Sequence, residues 1–289
     1  MFNNTFINGK FVSGRNAKIS IDDVGFLYGD GIFETLRGYK EKLFKLDEHI
    51  GRLLASLKQL RYNPHFDKTY IKSAVHELLF KNKLSQTDAY IKIIVTRSRY
   101  GERFHYDLQI KPNLIIIAKK LDPYPDEYYK NGIKIATSDL KRSATGSDLY
   151  KFKLLNYFEN IYVRNEAYRK QSLEGIFLTR DRLVLEGSMS NIFYVKNGTV
   201  FTPPLTQNIL PGITRQVVIN LCRENNIKVS ERRIHYFDII KAGEIFLTNS
   251  VMEIMPVKEI DIYKVESKIP GSVTCKLLEL YKKEIRNSL

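Results

Sequence analysis

Glu186-Gly187-Ser188-Met189-Ser190-Asn191-Ile192-Phe193-Tyr194-Val195 runs through Asn197-Gly198 into Thr199-Val200-Phe201-Thr202, and then reaches Leu210-Pro211-Gly212-Ile213-Thr214-Arg215. Asn-Gly favours the positive backbone angles that a two-residue hairpin turn requires, so Ile192 to Val195 and Thr199 to Thr202 read as paired strands. Leu210-Pro211-Gly212 is a turn that opens a helix from Thr214 to Glu224. The amides of Ile213 and Thr214 at such a start can face an anion, and the helix dipole favours its charge. Glu186 ends a further strand, Leu183 to Leu185, which pairs with Ile176 to Thr179 around Asp181-Arg182.

Outward from this stretch the same rules map the rest of the chain. Thr5 to Ile7 and Lys10 to Val12 flank Asn8-Gly9 as a hairpin, and Tyr90 to Thr96 and Leu114 to Ala118 are strand-like runs rich in branched residues. Ile50, Leu53, Leu54, Leu57 and Leu60 recur at three and four residues, which predicts a helix over Leu46 to Leu60. Similar spacing predicts helices over Lys68 to Phe80, Leu155 to Arg169 and Val273 to Ile285. Leu121-Asp122-Pro123-Tyr124-Pro125-Asp126 carries two prolines between periodic segments. The expected organisation is therefore α+β in two domains: residues 1–120, a linker over 121–130, and a larger domain over 131–289.

Composition narrows the function. With 43% hydrophobic and 27% charged residues, the 289-residue chain reads as folded and not as disordered. The net charge of +14 raises nucleic-acid binding, but the positive residues are scattered and interrupted by acids, as at Glu231-Arg232-Arg233. A solvated basic surface that attracts small anions is the better reading, with no nucleic-acid partner expected. Cys222 and Cys275 form no CxxC pair, and the five histidines show no metal-ligand spacing, so no metal is expected. The longest apolar runs are too short to cross a bilayer, and the first ten residues lack the features of a signal peptide. A cytoplasmic protein without a membrane partner is the expectation.

The opening stretch resembles, element by element, the signature of the class-IV aminotransferase family. Tyr28-Gly-Asp-Gly-Ile-Phe-Glu-Thr-Leu-Arg37, His49-Ile-Gly-Arg52, Lys153-Leu-Leu-Asn156 and Thr248-Asn-Ser-Val-Met-Glu-Ile-Met-Pro-Val257 are similar to its other blocks, in the family's order. The resemblance implies a fold type IV enzyme with a smaller N-terminal α/β domain and a larger, β-barrel-like C-terminal domain, acting as a homodimer on a small anionic amino substrate. It implies pyridoxal 5'-phosphate (PLP) as cofactor, held as a Schiff base by Lys153, three residues before Asn156. Burial and nearby positive charge suit a lysine to that chemistry. Lys151 is then a solvated neighbour.

By the same resemblance Arg52, Asn249 and Ser250 join the amides of Ile213 and Thr214 on the phosphate, and Tyr157 meets the ring hydroxyl. Glu186 would keep the ring nitrogen protonated, which the electron sink requires. Arg103 and His105 resemble a carboxylate-binding loop of D-amino-acid aminotransferases that reaches across the dimer, although Phe33 stands where that subfamily has tyrosine. Arg37 and Arg97 are further candidates for the substrate carboxylate. Thr248-Asn249-Ser250 and the tail Leu277 to Leu289 look more like aminodeoxychorismate lyases, which release pyruvate and 4-aminobenzoate for the folate pathway. Transfer of an amino group from a branched-chain or D-amino acid to 2-oxoglutarate is the alternative.

Overall fold

The computed structural model describes residues 3–40, 42–143 and 147–287, so the last two residues of the tail lie outside it. The chain divides into two compact units, Met1–Asp122 with Phe152–Tyr157, and Pro123–Lys151 with Phe158–Leu289.

The first unit holds β1 (Asn4–Ile7), β2 (Lys10–Ser13), α1 (Val24–Tyr28), β3 (Gly31–Tyr39), β4 (Lys42–Leu43), α2 (Leu46–Gln59), α3 (Lys68–Lys81), β5 (Ala89–Thr96) and β6 (Asn113–Lys120). Its sheet has the order β2-β1-β6-β5-β3-β4, and each adjacent pair is antiparallel. Alternation along β5 buries Ala89, Ile91, Ile93 and Val95 against Ile50, Leu53 and Leu57 of α2 and Ile71, Val75 and Leu78 of α3. Each such side chain contributes about 1.5–3 kcal/mol on burial. The register places Phe33 opposite Ile94, Thr35 opposite Lys92 and Arg37 opposite Tyr90, so these six share the face turned away from the helices.

Phe152–Tyr157 belongs to this first unit, although the expected boundaries put it in the second domain. It runs beside the start of β3: Phe33 N donates to Lys153 O at 2.9 Å, Leu155 N donates to Gly31 O at 2.8 Å, and Ile32 and Leu154 form a bridge. A Cβ at Gly31 would stand 2.4 Å from Leu155 Cδ1 and 2.7 Å from Val95 O, so only glycine admits this approach. The bridge also explains why the helix expected from Leu155 begins at Phe158.

The second unit holds α4 (Asp126–Asn131), β7 (Ile133–Lys141), α5 (Phe158–Arg169), β8 (Glu174–Leu178), β9 (Leu183–Gly187), β10 (Asn191–Lys196), β11 (Thr199–Thr202), α6 (Ile213–Glu224), β12 (Val229–Glu231), β13 (Ile234–His235), α7 (Tyr236–Ile239), β14 (Glu244–Asn249), β15 (Glu253–Ile260), β16 (Tyr263–Lys264) and α8 (Ser272–Asn287). Its mixed ten-stranded sheet follows β12-β11-β10-β14-β15-β7-β8-β9-β13, with β16 on β15, and curls as a half-barrel. The segment expected as a linker contains α4, because after Pro125 the residues Asp126 and Glu127 supply an acidic first turn. Among the described residues no helix is long and apolar enough to cross a membrane, and no group of three or more His, Cys, Asp or Glu side chains could hold a metal.

Candidate active site

In the first unit, Lys153 is half-buried, with Nζ 4.6 Å from the centre of the Phe33 ring and 5.6 Å from that of Tyr157. The two rings meet edge to face at 5.4 Å. Lys92 approaches Phe33 as well, at 4.1 Å, and burial pushes its pKa down from the ordinary lysine value. Two amines thus share one aromatic ring on the sheet face turned away from the helices. Lys151, by contrast, has a side chain 44% exposed and paired with Asp148 at 2.8 Å.

Arg52 lies on the other side of this sheet. Its Nε and Nη2 donate to the two oxygens of Glu34, each at 2.7 Å, and His49 Nδ1 lies 2.7 Å from Glu34 Oε2. Burial alone would raise the Glu34 pKa, but the Arg52 guanidinium and the His49 contact outweigh it and hold the carboxyl at about 2. Burial also lowers the pKa of His49, against the pull of Glu34.

The substrate candidates of this unit fall in different settings. Arg37 pairs with Asp88 at 2.7 Å and stacks on Tyr39 at 4.5 Å. Arg97 is buried, donates to Asp30 and to the carbonyls of Leu60 and Arg61, and lies 3.8 Å from the ring centres of both Tyr62 and Tyr106. Its charge is committed to Asp30, and it anchors the start of the 98–108 loop. Arg103 and His105 are exposed on that loop, with Arg103 and Phe104 at φ of 51° and 63°. Two successive non-glycine residues in the left-handed region store of order 1–3 kcal/mol each.

In the second unit, Glu186 is the penultimate residue of β9, with both oxygens in use. Oε1 accepts from Arg142 Nη1 and Oε2 from the Leu210 amide, each at 3.0 Å. Arg142 is buried; its Nε and Nη2 reach Glu159 Oε2 at 3.1 and 2.8 Å, and its guanidinium carbon lies 3.5 Å from the centre of Phe177 and 4.2 Å from that of Tyr150. Burial, with Glu159 alongside, raises the Tyr150 pKa. One guanidinium therefore faces two carboxylates.

Helix α6 begins at Ile213, one residue before the expected start. Gly212 caps α6 without a side-chain hydrogen bond, and a Cβ there would stand 2.0 Å from Asn191 Oδ1. Asn191 Nδ2 in turn donates to Leu210 O at 3.0 Å, so the family asparagine braces the loop that presents Ile213 and Thr214. Asn249 shapes its own turn: Nδ2 donates to Met189 O, and Oδ1 accepts from the amides of Val251 and Met252. Half-buried Ser250 lies within that turn. A surface cavity of about 550 Å³ elsewhere in this unit, lined by Tyr128, Lys134, Tyr168 and Lys258 among others, contains none of the predicted residues.

Sequence reasoning missed Glu34, Lys92 and Arg142. Two of them left a faint signal: Glu34 and Lys92 are charges inside runs of strand-forming residues.

In the first unit a lysine amine beside aromatic rings suits the aldehyde of a phosphorylated pyridine, and in the second a fixed carboxylate and a helix start suit its ring nitrogen and its phosphate, so the residues of each unit fit PLP. The sequence profile described as amino-transferase class IV matches residues 31–260, and the chain belongs to that family. Its members are PLP-dependent enzymes of fold type IV. The chain is 38% identical to a putative branched-chain-amino-acid aminotransferase of Methanocaldococcus jannaschii, over 96% of this chain and 94% of the other. It is 32% identical to the aminodeoxychorismate lyase of Bacillus subtilis, over 98% and 95%. Among solved structures, the branched-chain aminotransferase of Escherichia coli superposes with a TM-score of 0.92 at 29% identity, covering 98% of this chain and 94% of that one.

Proposed function

We propose that this chain is a PLP-dependent lyase that releases pyruvate from 4-amino-4-deoxychorismate and leaves 4-aminobenzoate. The observation that carries the proposal is the charge on the face of the first sheet that bears Lys153. Lys92 shares the Phe33 ring with Lys153, which suits an anionic substrate, whereas Arg37, two residues further along the same row, is paired with Asp88. The lyase-like Thr248-Asn249-Ser250 block and the Bacillus subtilis relative support the same reading.

When bound, the cofactor supplies an electron sink. Lys153 would hold the cofactor at its aldehyde carbon and would move the proton at the substrate α-carbon. Glu186, fixed by Arg142 and the Leu210 amide, would accept from the ring N–H. Arg52, Ser250 and the amides of Ile213 and Thr214 would donate to the phosphate, Asn249 orders the turn that would offer Ser250, and Tyr157 would meet the ring hydroxyl. Arg103 and His105 serve a second copy of the chain in a homodimer. Exposed Phe26, Leu27 and Phe104 of the first unit, and Phe158 and Ile161 of the second, support self-association.

Amino transfer is the second reading, favoured by the 38% identical relative and by the apolar Phe33 and Ile94 beside the cations. The deciding experiment supplies PLP-loaded enzyme with 4-amino-4-deoxychorismate or, separately, with leucine or D-alanine plus 2-oxoglutarate. 4-Aminobenzoate and pyruvate with no glutamate is the expected result; glutamate from either amino acid with no 4-aminobenzoate refutes the lyase.

A further inference from the structure

On the helix-facing side of β3, Glu34 stands in a row that is otherwise apolar, between Ile32 and Leu36, and is 1% exposed. A buried ion pair is by itself a weak reason to keep such a charge, since well-packed apolar side chains of similar volume hold a core as well. Its contacts suggest another use. Arg52 meets Glu34 edge-on through two bonds of 2.7 Å, and two bonds to one carboxylate fix the plane of a guanidinium as well as its position. His49, one turn earlier on α2, meets the same Oε2 and so limits the carboxylate's own rotation. Glu34 is fully enclosed whereas the Arg52 side chain is 14% exposed. The paired edge of the guanidinium therefore faces inward, and Nη1 points away from Glu34.

We propose that Glu34 is a positioning residue that aims Arg52 at the phosphate of the cofactor, with His49 holding Glu34 in place. The proposal rests on the reading of Arg52 as a phosphate ligand. Two effects of Glu34 oppose each other. Its negative charge subtracts from the field of Arg52, whereas the fork presents the remaining N–H groups in the planar geometry that distinguishes arginine from lysine at a phosphate. The aiming effect wins, because the subtraction is spread over the whole site while misdirected N–H groups lose their bonds outright.

The test compares dissociation constants of PLP and of pyridoxal, which lacks the phosphate, for apoprotein of the wild type and of Arg52→Ala, Arg52→Lys, Glu34→Gln and Glu34→Asp. The ratio of the two constants reads the phosphate contact alone, and pyridoxal binding reports that the protein is folded. Arg52→Ala and Glu34→Gln should each reduce the preference for PLP by about tenfold or more, the loss of one charge-assisted contact. Glu34→Asp should restore part of it. Arg52→Lys keeps the charge but not the fork, and should lose nearly as much as Arg52→Ala; it carries the test if Glu34→Gln fails to fold. A wild-type preference in Arg52→Lys or Glu34→Gln, with a loss in Arg52→Ala, overturns the positioning role and leaves Arg52 as a phosphate ligand. A gain in Glu34→Gln overturns it too, by showing that charge subtraction dominates. No change in Arg52→Ala removes Arg52 from the phosphate, and the proposal falls with it.

Discussion

Arg142→Met removes the one guanidinium of the Glu186 cluster while keeping much of the apolar stem between Phe177 and Tyr150. Three hydrogen bonds are lost, two to Glu159 and one to Glu186. The two carboxylates then fare differently. The Glu159 side chain is 29% exposed and can take water, whereas that of Glu186 is 8% exposed and loses a charged partner while keeping the Leu210 amide. Breaking a buried pair costs about 3–5 kcal/mol, and because only one partner is stranded the lower end applies here. For a unit of about 160 residues, each kcal/mol moves the midpoint by roughly 2–4 °C, so a fall of roughly 6–12 °C is expected. Thermal melts of cofactor-free protein at pH 7.5 measure it directly. The double variant Arg142→Met/Glu186→Gln should regain part of the loss, because a neutral amide is cheaper to strand than a carboxylate. A fall below about 2 °C, or a double variant no more stable than Arg142→Met, refutes the claim that Arg142 compensates a buried Glu186.

Glu34 is ionised in the folded state down to about 2, against 4.5 ordinarily, so its contribution is present above pH 4.5 and lost as the pH falls toward 2. That difference corresponds to about 3 kcal/mol; Glu34→Gln should therefore be less stable than wild type at pH 7 by a margin that shrinks by pH 3 in urea unfolding, and a constant margin counts against it. Borohydride reduction of PLP-loaded protein should label Lys153 on peptide mapping; label on Lys151 would move the cofactor to the exposed lysine. Glu186→Gln should lower turnover far more than PLP affinity, and near-normal turnover would remove the ring-nitrogen role. Arg103→Ala should raise the substrate KM and leave the visible absorption band unchanged, whereas Arg97→Ala, which cuts the bond to Asp30, should lower the melting temperature first; the opposite pattern would exchange their roles.

The hairpins were legible because their turns need backbone angles that few residues accept: Asn8 and Gly9 have φ of 48° and 88°, and Asn197 and Gly198 have 51° and 71°. Helices α2, α3 and α6 followed from apolar spacing, within a residue or so of their observed ends. Strand β15 was not legible as a strand, since Glu253–Ile260 contains Pro256 and is buried without alternation over its first five residues. Nor was β3, whose Glu34, Arg37 and two glycines break the apolar pattern. The start of α5 was misplaced for a tertiary reason: Leu154 and Leu155 are drawn into a bridge with Gly31 and Ile32, which no local propensity reports.

The site divides along a similar line. Lys153, Glu186 and the Leu210-Pro211-Gly212 turn were legible because each stands in a spaced pattern with its neighbours. Arg142 and Glu34 were not, since each acts through a partner distant in sequence, Glu186 at forty-four positions and Arg52 at eighteen. The choice of reaction belongs to a third kind of information. A lysine at the α-carbon and a carboxylate at the ring nitrogen serve elimination and amino transfer equally, because both begin by moving the same proton. The reactions diverge only at the next bond, and what the substrate offers there depends on which carboxylates the pocket selects. Under the proposed reading that selection would fall to the Phe33, Thr35 and Arg37 row, its partners Ile94, Lys92 and Tyr90, and the loop of Arg103. Lys92→Ala should therefore discriminate between the readings where Lys153 cannot: it should weaken a dicarboxylate substrate by about tenfold or more while leaving an apolar amino acid nearly unaffected. Equal losses on both, in parallel kinetic assays, would place Lys92 at the carboxylate common to all the substrates and remove the charge argument for the lyase.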